Sequence, residues 1–208
     1  MITDTVFGVN GGNGPDNLRR GKAKYDIGHF EDTPEYVREV CVPTIEWGRD
    51  NAKRVAVTVG TLCLWMYPPS DALGCYFTPA NPSRGKWGFN VCSPILYYGK
   101  DPYAARQPNG TTMTENAEKL GHPCPKPIKA WTWLVNRASK PGELVLDPFA
   151  GSGTTLLACK RNGRRAIGIE INERYCEIIA RRLSQEMTLV PQNAEVSDPG
   201  GPAASASA

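Results

Sequence analysis

Histidine is nearly absent from this 208-residue chain, with only His29 and His122 present. Its seven cysteines (Cys41, Cys63, Cys75, Cys92, Cys124, Cys159, Cys176) are odd in number, scattered, and include no C-x-x-C pair. That pattern fits reduced thiols better than a disulfide framework, and with so few imidazoles no ligand spacing supports a metal centre. No signal sequence opens the chain and no apolar run approaches the roughly 18 residues of a membrane span, so no membrane partner and a cytoplasmic location are expected. Charge of one sign is also scarce. A net charge of +3 is too small to announce a nucleic-acid partner, so any such partner must be argued from local patches. Internal repeats are missing. What remains is 40% hydrophobic and 22% charged, the balance of a folded domain with a real core.

The first half of the chain is irregular. MITDTVFGVN places an acid, Asp4, and an aromatic, Phe7, between a short apolar start and a glycine-rich run, as at an active-site edge. From Gly8 to about Gly28 a loop is expected, with Arg19, Arg20, Lys22 and Lys24 clustered in it. Asp32-Thr33-Pro34-Glu35 carries a capping side chain and a first-turn proline, and Tyr36, Val37, Val40 and Cys41 follow at helical spacing, with Pro43 expected to end or kink that helix. RVAVTVG (54–60) reads as a buried strand entering a tight turn, while the apolar run 62–67 fits helix or strand. Residues 68 to 90 hold Pro68, Pro69, Pro79 and Pro82 with Arg84, Lys86 and Trp87, an irregular and partly basic excursion. SPILYYGK (93–100) is a strand, and 101 to 121 read as loop.

The second half is regular. Ile128, Trp131, Val135 and Ala138 share a helical face that Pro141-Gly142 ends. ELVLD (143–147) is a buried strand, GTTLLACKRNG a helix stopping at Gly163, RRAIGIEI a second strand, and about 173–186 a helix with Tyr175, Ile178, Ile179 and Leu183 inward. Strand, helix, strand, helix implies parallel pairing with right-handed crossovers. The tail 191–208 has almost no large apolar residues and is expected to be disordered.

LVLDPFAGSGTT (144–155) carries the most chemistry. An apolar strand ends in Asp147, and Gly151 and Gly153 occupy the turn before a helix, where backbone N–H groups can approach a ligand closely. Glu170 ends the next strand, seventeen residues past Gly153, where an acid can accept from ribose hydroxyls. A nucleoside-containing cofactor follows. A phosphate-binding NTPase loop would need Lys after its last glycine, where Thr154 stands. A dinucleotide fingerprint would want a small residue at Leu156. S-adenosyl-L-methionine has a ribose and no phosphate, and needs neither feature.

DPFAGSGTT with IGIEINERY closely resembles the cofactor motif and partner acid of amino-directed DNA methyltransferases, which modify adenine N6 or cytosine N4. GHPCPKP (121–127) is similar to the His-Pro-x-x-Lys-Pro element that those enzymes place just before it. Together these cover about residues 121 to 183. Their order matches the circularly permuted subgroup, in which the catalytic tetrapeptide comes first, and MITDTVFGVN stands where that subgroup has Asp-Pro-Pro-Tyr-Gly. The resemblance implies a three-layer, Rossmann-like α/β methyltransferase fold with a mostly parallel sheet. It also implies a strand-helix unit before the tetrapeptide; only three residues precede Asp4, so that unit is expected to be lacking. A methyltransferase domain over 1–190 is expected, divided into a catalytic half (1–60), an insert with target recognition and later core strands (61–120) and a cofactor half (121–190).

Carried over by residue, the resemblance has Asp4 accept a hydrogen bond from the amine of a flipped base, the Thr5 carbonyl take the second, Val6 fill the next position and Phe7 stack on the base. His122, Lys126, Asp147, Pro148, Phe149, Gly151, Ser152, Gly153, Thr154 and Glu170 would form the cofactor side, with His122 and Lys126 as structural elements rather than acid–base catalysts. Arg19, Arg20, Lys22, Lys24, Arg84 and Lys86 would meet double-stranded DNA phosphates. Tyr97, Tyr98 and Trp131 read as core. Replacing both prolines of the tetrapeptide by Thr5 and Val6 should loosen it, since proline fixes φ. An acid in first position favours adenine N6. The alternatives are cytosine N4, a degenerate homologue that binds DNA or cofactor without efficient catalysis, and methylation of RNA or protein amines. The implied setting is a prokaryotic or phage-host cytoplasm.

Overall fold

A computed structural model describes residues 1–8, 32–77, 84–85, 88–89, 91–105, 107–112, 115, 117–118, 120–122 and 124–185. Arg19, Arg20, Lys22, Lys24, Lys86 and the 191–208 tail lie outside these, and Arg84 is described in its backbone alone.

Strand β1 (Ile2–Asp4) pairs in parallel with β2 (Arg54–Thr58), setting Asp4 beside Thr58. The helical stretch between them, α1, runs through Pro34–Tyr36, a π-helical turn Val37–Cys41, and Val42–Asn51. Thr33 caps it by accepting from the Tyr36 N–H at 3.1 Å. Pro43 neither ends it nor stops the helical path: the wider turn just before it absorbs the missing N–H, and the helix continues for two more turns. A 3-10 turn, Leu64–Met66, follows β2.

Residues 68–90 were expected to be irregular, yet β3 (Ala72–Phe77) lies there, followed by the two-residue strands β4 (Arg84–Gly85) and β5 (Gly88–Phe89). β3 sits at the sheet edge, where flanking prolines break no ladder. β6 (Cys92–Gly99) returns between β2 and β3 and is antiparallel to both. Helix α2 (Ile128–Ala138), strand β7 (Leu144–Asp147), helix α3 (Thr154–Arg161), strand β8 (Arg165–Gly168) and helix α4 (Glu173–Gln185) complete the described chain. β7 and β8 are parallel, and β7 packs beside β1.

The expectation of a mostly parallel sheet is therefore corrected: the order β1-β2-β6-β3 is mixed. A parallel strand next to β2 would need a crossover of about a dozen residues or more, usually helical. Here the chain passes through the 3-10 turn to β3, which runs parallel to β2 but not beside it, and β6 then returns antiparallel between the two.

The sheet has a helix layer on each face. Val55, Val57 and Val59 alternate toward α1, where they meet Val37, Cys41 and Ile45, while Ala56 faces α2 with Trp131, Leu134 and Val135. That period of two along β2 is what a strand covered on both faces requires.

Candidate active site

The C-terminal ends of β1 and β7 open side by side, which brings residues 4 to 8 next to the 147–154 loop. The Thr3 hydroxyl ties the two strands by donating to Asp147 Oδ1 at 2.5 Å. Asp4 accepts from the Thr58 hydroxyl through Oδ1 and from the Lys126 ammonium through Oδ2 at 2.9 Å. Lys126 also lies over the Phe7 ring, 4.6 Å from its centroid. Burial pushes the Asp4 carboxyl above the ordinary aspartate range, against the opposing pull of Lys126 and Thr58. For Lys126, burial would lower the pKa, but the Asp4 carboxylate raises it well above the ordinary lysine value, so the ammonium stays charged.

Thr5 is buried and held at three points. Its N–H donates to the Thr58 carbonyl at 3.1 Å, its hydroxyl donates to the same oxygen at 3.2 Å, and the Tyr67 hydroxyl lies 2.8 Å from Thr5 Oγ1. Since the Thr5 proton is spent on Thr58, Tyr67 is the donor. Burial raises the Tyr67 pKa, which keeps that proton in place. Hydrogen bonding thus supplies the stiffness that proline would have supplied. Gly60 packs so closely that a Cβ there would meet Phe7 Cβ at 2.6 Å.

On the other side, Gly153 precedes α3 with φ +77°, and a Cβ there would meet Ile179 Cγ1 at 2.8 Å. Gly151, also at positive φ, donates its N–H to Glu170 Oε2 at 2.8 Å, while Asn172 N–H donates to Oε1 at 2.9 Å. Asp147 is turned inward and accepts from Thr3, Thr155 and the Phe149 N–H; burial raises its pKa to about 6 despite them. Pro148 and Phe149 form the turn beyond it, and Ser152 and Thr154 are buried with hydroxyls 3.4 Å apart. The His122 ring packs at 4.5 Å against that of Tyr175, tilted by 59°, close to Gly151, and accepts from the Cys124 N–H. Burial and the nearby Lys126 charge lower its pKa to about 4, so it is neutral at pH 7.

Lys126 joins the two sides: its ammonium reaches Asp4 and its carbonyl accepts from the Thr154 hydroxyl at 3.4 Å. Three further contributors escaped the sequence reading. Thr58 and Tyr67 lie in or after RVAVTVG, and a polar residue at the end of an apolar strand is a signal that could have found Thr58. Arg182, buried on α4, donates to the Ser152 carbonyl at 2.6 Å and bridges to Glu118 at 3.0 Å; an arginine between apolar helix positions carries no such signal.

A family model described as DNA methylase, of the N6/N4 type, matches residues 49–181. The chain belongs to the N6/N4 DNA methylase family. It is 41% identical over 71 residues to the type II methyltransferase M.HpaI of Haemophilus parainfluenzae, covering 34% of this chain and 23% of that protein. Against M.ScaI of Streptomyces caespitosus it is 35% identical over 108 residues, 50% of this chain and 34% of the relative. The matched part thus spans about a third or less of these relatives. Among solved structures, the cytosine-N4-specific PvuII DNA methyltransferase superposes with a TM-score of 0.62 at 17% identity, over 92% of this chain and 79% of that one. M1.HpyAVI in complex with S-adenosylmethionine superposes at 0.58 and 18%, over 87% and 86%. This N6/N4 methylase chain therefore shares their α/β fold.

Proposed function

We propose that this site transfers a methyl group from S-adenosyl-L-methionine to an exocyclic amine of a base flipped out of double-stranded DNA, with adenine N6 the favoured target. The observation that carries the reading is the junction of Asp4 and Phe7 with the Gly151–Gly153 loop through Lys126. The residues present suit the cofactor. Gly151 and Gly153 leave two positions of the loop without side chains, and Glu170 keeps lone pairs for a ribose diol beside its two backbone donors. No lysine follows Gly153, as a cofactor without phosphates allows. Bound there, S-adenosylmethionine supplies a methyl group on a sulfonium.

The chain's own part is alignment. Asp4 accepts one N–H of the amine and aims its lone pair, the Thr5 carbonyl is the second acceptor, and Phe7 stacks on the base for about 1–3 kcal/mol. A nitrogen that took up this methyl group, with the sulfonium sulfur leaving, would have to shed a proton. The raised pKa of Asp4 suits it to receive that proton. The permuted order of motifs, the roles of the residues above and the DNA-facing basic residues belong to the same proposal. Lys126 on Asp4 supports a second reading, a protein that binds cofactor or DNA with its acceptor kept occupied. Titration calorimetry with S-adenosylmethionine, followed by nucleoside analysis of duplex DNA incubated with the chain and labelled cofactor, tests both. N6-methyladenine is expected; N4-methylcytosine reassigns the target, binding without product selects the second reading, and no binding at millimolar cofactor removes the transfer reading.

A further inference from the structure

Trp65 is 87% exposed and Leu62 67% exposed, both in the turn that follows β2. Their neighbours point the other way: Cys63 and Tyr67 are buried, and Leu64 and Met66 pack on the α1-side core. The turn is fixed by Cys63 N–H to the Gly60 carbonyl at 3.2 Å and Met66 N–H to the Cys63 carbonyl at 3.0 Å. Leu62 just precedes that 3-10 turn and Trp65 stands within it, so two exposed apolar side chains three positions apart make a knob on a base these bonds fix. That base packs on the tetrapeptide, through Gly60 against Phe7 and through Tyr67 to Thr5. The knob stands at the same end of the parallel pair β1–β2 as Asp4.

We propose that Leu62 and Trp65 are a wedge that enters the base stack of duplex DNA beside the target nucleotide and fills the space it vacates. The proposal rests on the reading of the site as a DNA methylase. An indole face matches a base pair in flatness and stacks on any base, and apolar side chains inserted at a base step unstack it. Fixing the wedge to Phe7 and Thr5 couples opening of the stack to capture of the base by Phe7. Continuity with the acceptor residues favours DNA as the occupant over a second copy of the chain.

The test uses the full chain and duplexes carrying a site found by sequencing plasmid DNA that it has methylated. The target base is placed opposite its normal partner or opposite an abasic position, where less stacking and pairing must be broken. Trp65→Ala should slow single-turnover methyl transfer on the paired duplex by on the order of tenfold or more. On the abasic-opposed duplex it should lose less than about threefold, with Trp65→Phe keeping most of the rate on both. Calorimetry with S-adenosylmethionine should give wild-type affinity, which shows the variant is folded. Equal losses on both duplexes, no loss on either, or a wild-type dimer that Trp65→Ala dissolves would overturn the wedge. A wild-type chain that binds cofactor and methylates no duplex overturns the methylase reading itself, and the wedge with it.

Discussion

The half around β1 and β2 and the half around β7 and β8 are built differently. In the first, both sheet faces are covered and the candidate acceptor residues are tied by buried bonds: Thr5 to Thr58 and Tyr67, and Asp4 to Thr58 and Lys126. In the second, α3 covers one face while Leu144, Ile167 and Ile169 are about half exposed and Ile171 is 82% exposed. Its candidate cofactor residues, Glu170 and Gly151, are half-buried in surface loops and hydrogen-bonded to each other. Substitutions in the first half should therefore disturb folding and chemistry together, while those at Glu170 and the surface loop around it should reach ligand binding with little cost to the fold.

The largest effect is expected at Asp4. Asp4→Ala strands the Lys126 ammonium, and should cost about 2–4 kcal/mol in chemical denaturation, a little under the range for breaking a fully buried pair. Asp4→Ala/Lys126→Met should recover most of that loss while leaving methyl transfer absent; a double variant no more stable than the single one would show that the pair is not what holds this edge. Next comes Thr5. Thr5→Pro removes the N–H and the hydroxyl together and leaves Tyr67 and the Thr58 carbonyl without them, for about 1–3 kcal/mol. Restoring the family's proline should thus destabilise this chain, and a gain in thermal midpoint would refute the claim that hydrogen bonds stand in for it.

Asp147 and His122 sharpen the comparison through pH. The folded pKa of Asp147 is raised from 3.8 to about 6, so its contribution is full below 3.8 and is lost as pH rises through 6. For His122 the folded pKa falls from 6.5 to about 4, so its contribution is full above 6.5 and is lost as pH falls through 4. The two slopes oppose each other in wild type. Asp147→Asn should leave stability rising across pH 4 to 6.5, and His122→Gln should leave it falling from 4 to 6. Each swing is up to about 3 kcal/mol at 1.36 kcal/mol per unit. Parallel profiles in all three proteins would remove this assignment. The smallest effect on folding belongs to Glu170→Gln, expected within about 0.5–1 kcal/mol of wild-type stability yet weakening S-adenosylmethionine by roughly tenfold, the worth of one charge-assisted bond. A variant that unfolds instead would place Glu170 among the structural groups.

What could be read from the sequence follows the same divide. The turn in DPFAGSGTT was legible because its glycines and the helix after it are local features, and Glu170 because an acid closes the next apolar strand. Helices α2, α3 and α4 were legible through their periodicity. β3 was not, because the prolines on either side of it and its own Gly74 mimic a loop, and its pairing with β6 is a tertiary fact. Nor was the anchoring of Thr5: its partners lie 53 and 62 positions away, and nothing local marks them. The reach of Lys126 to Asp4 depends on β1 and β7 lying side by side, which spacing along the chain does not encode.

The account stands or falls on whether the β1 end and the β7 loop work as one site. Single-turnover transfer of labelled methyl to duplex DNA, at saturating S-adenosylmethionine, compares wild type with Asp4→Asn. The account predicts N6-methyladenine from wild type and at least about a hundredfold less from Asp4→Asn, as for a misaligned acceptor, with cofactor affinity changed less than about threefold. Equal rates from the two proteins, or loss of cofactor binding along with transfer, would contradict it.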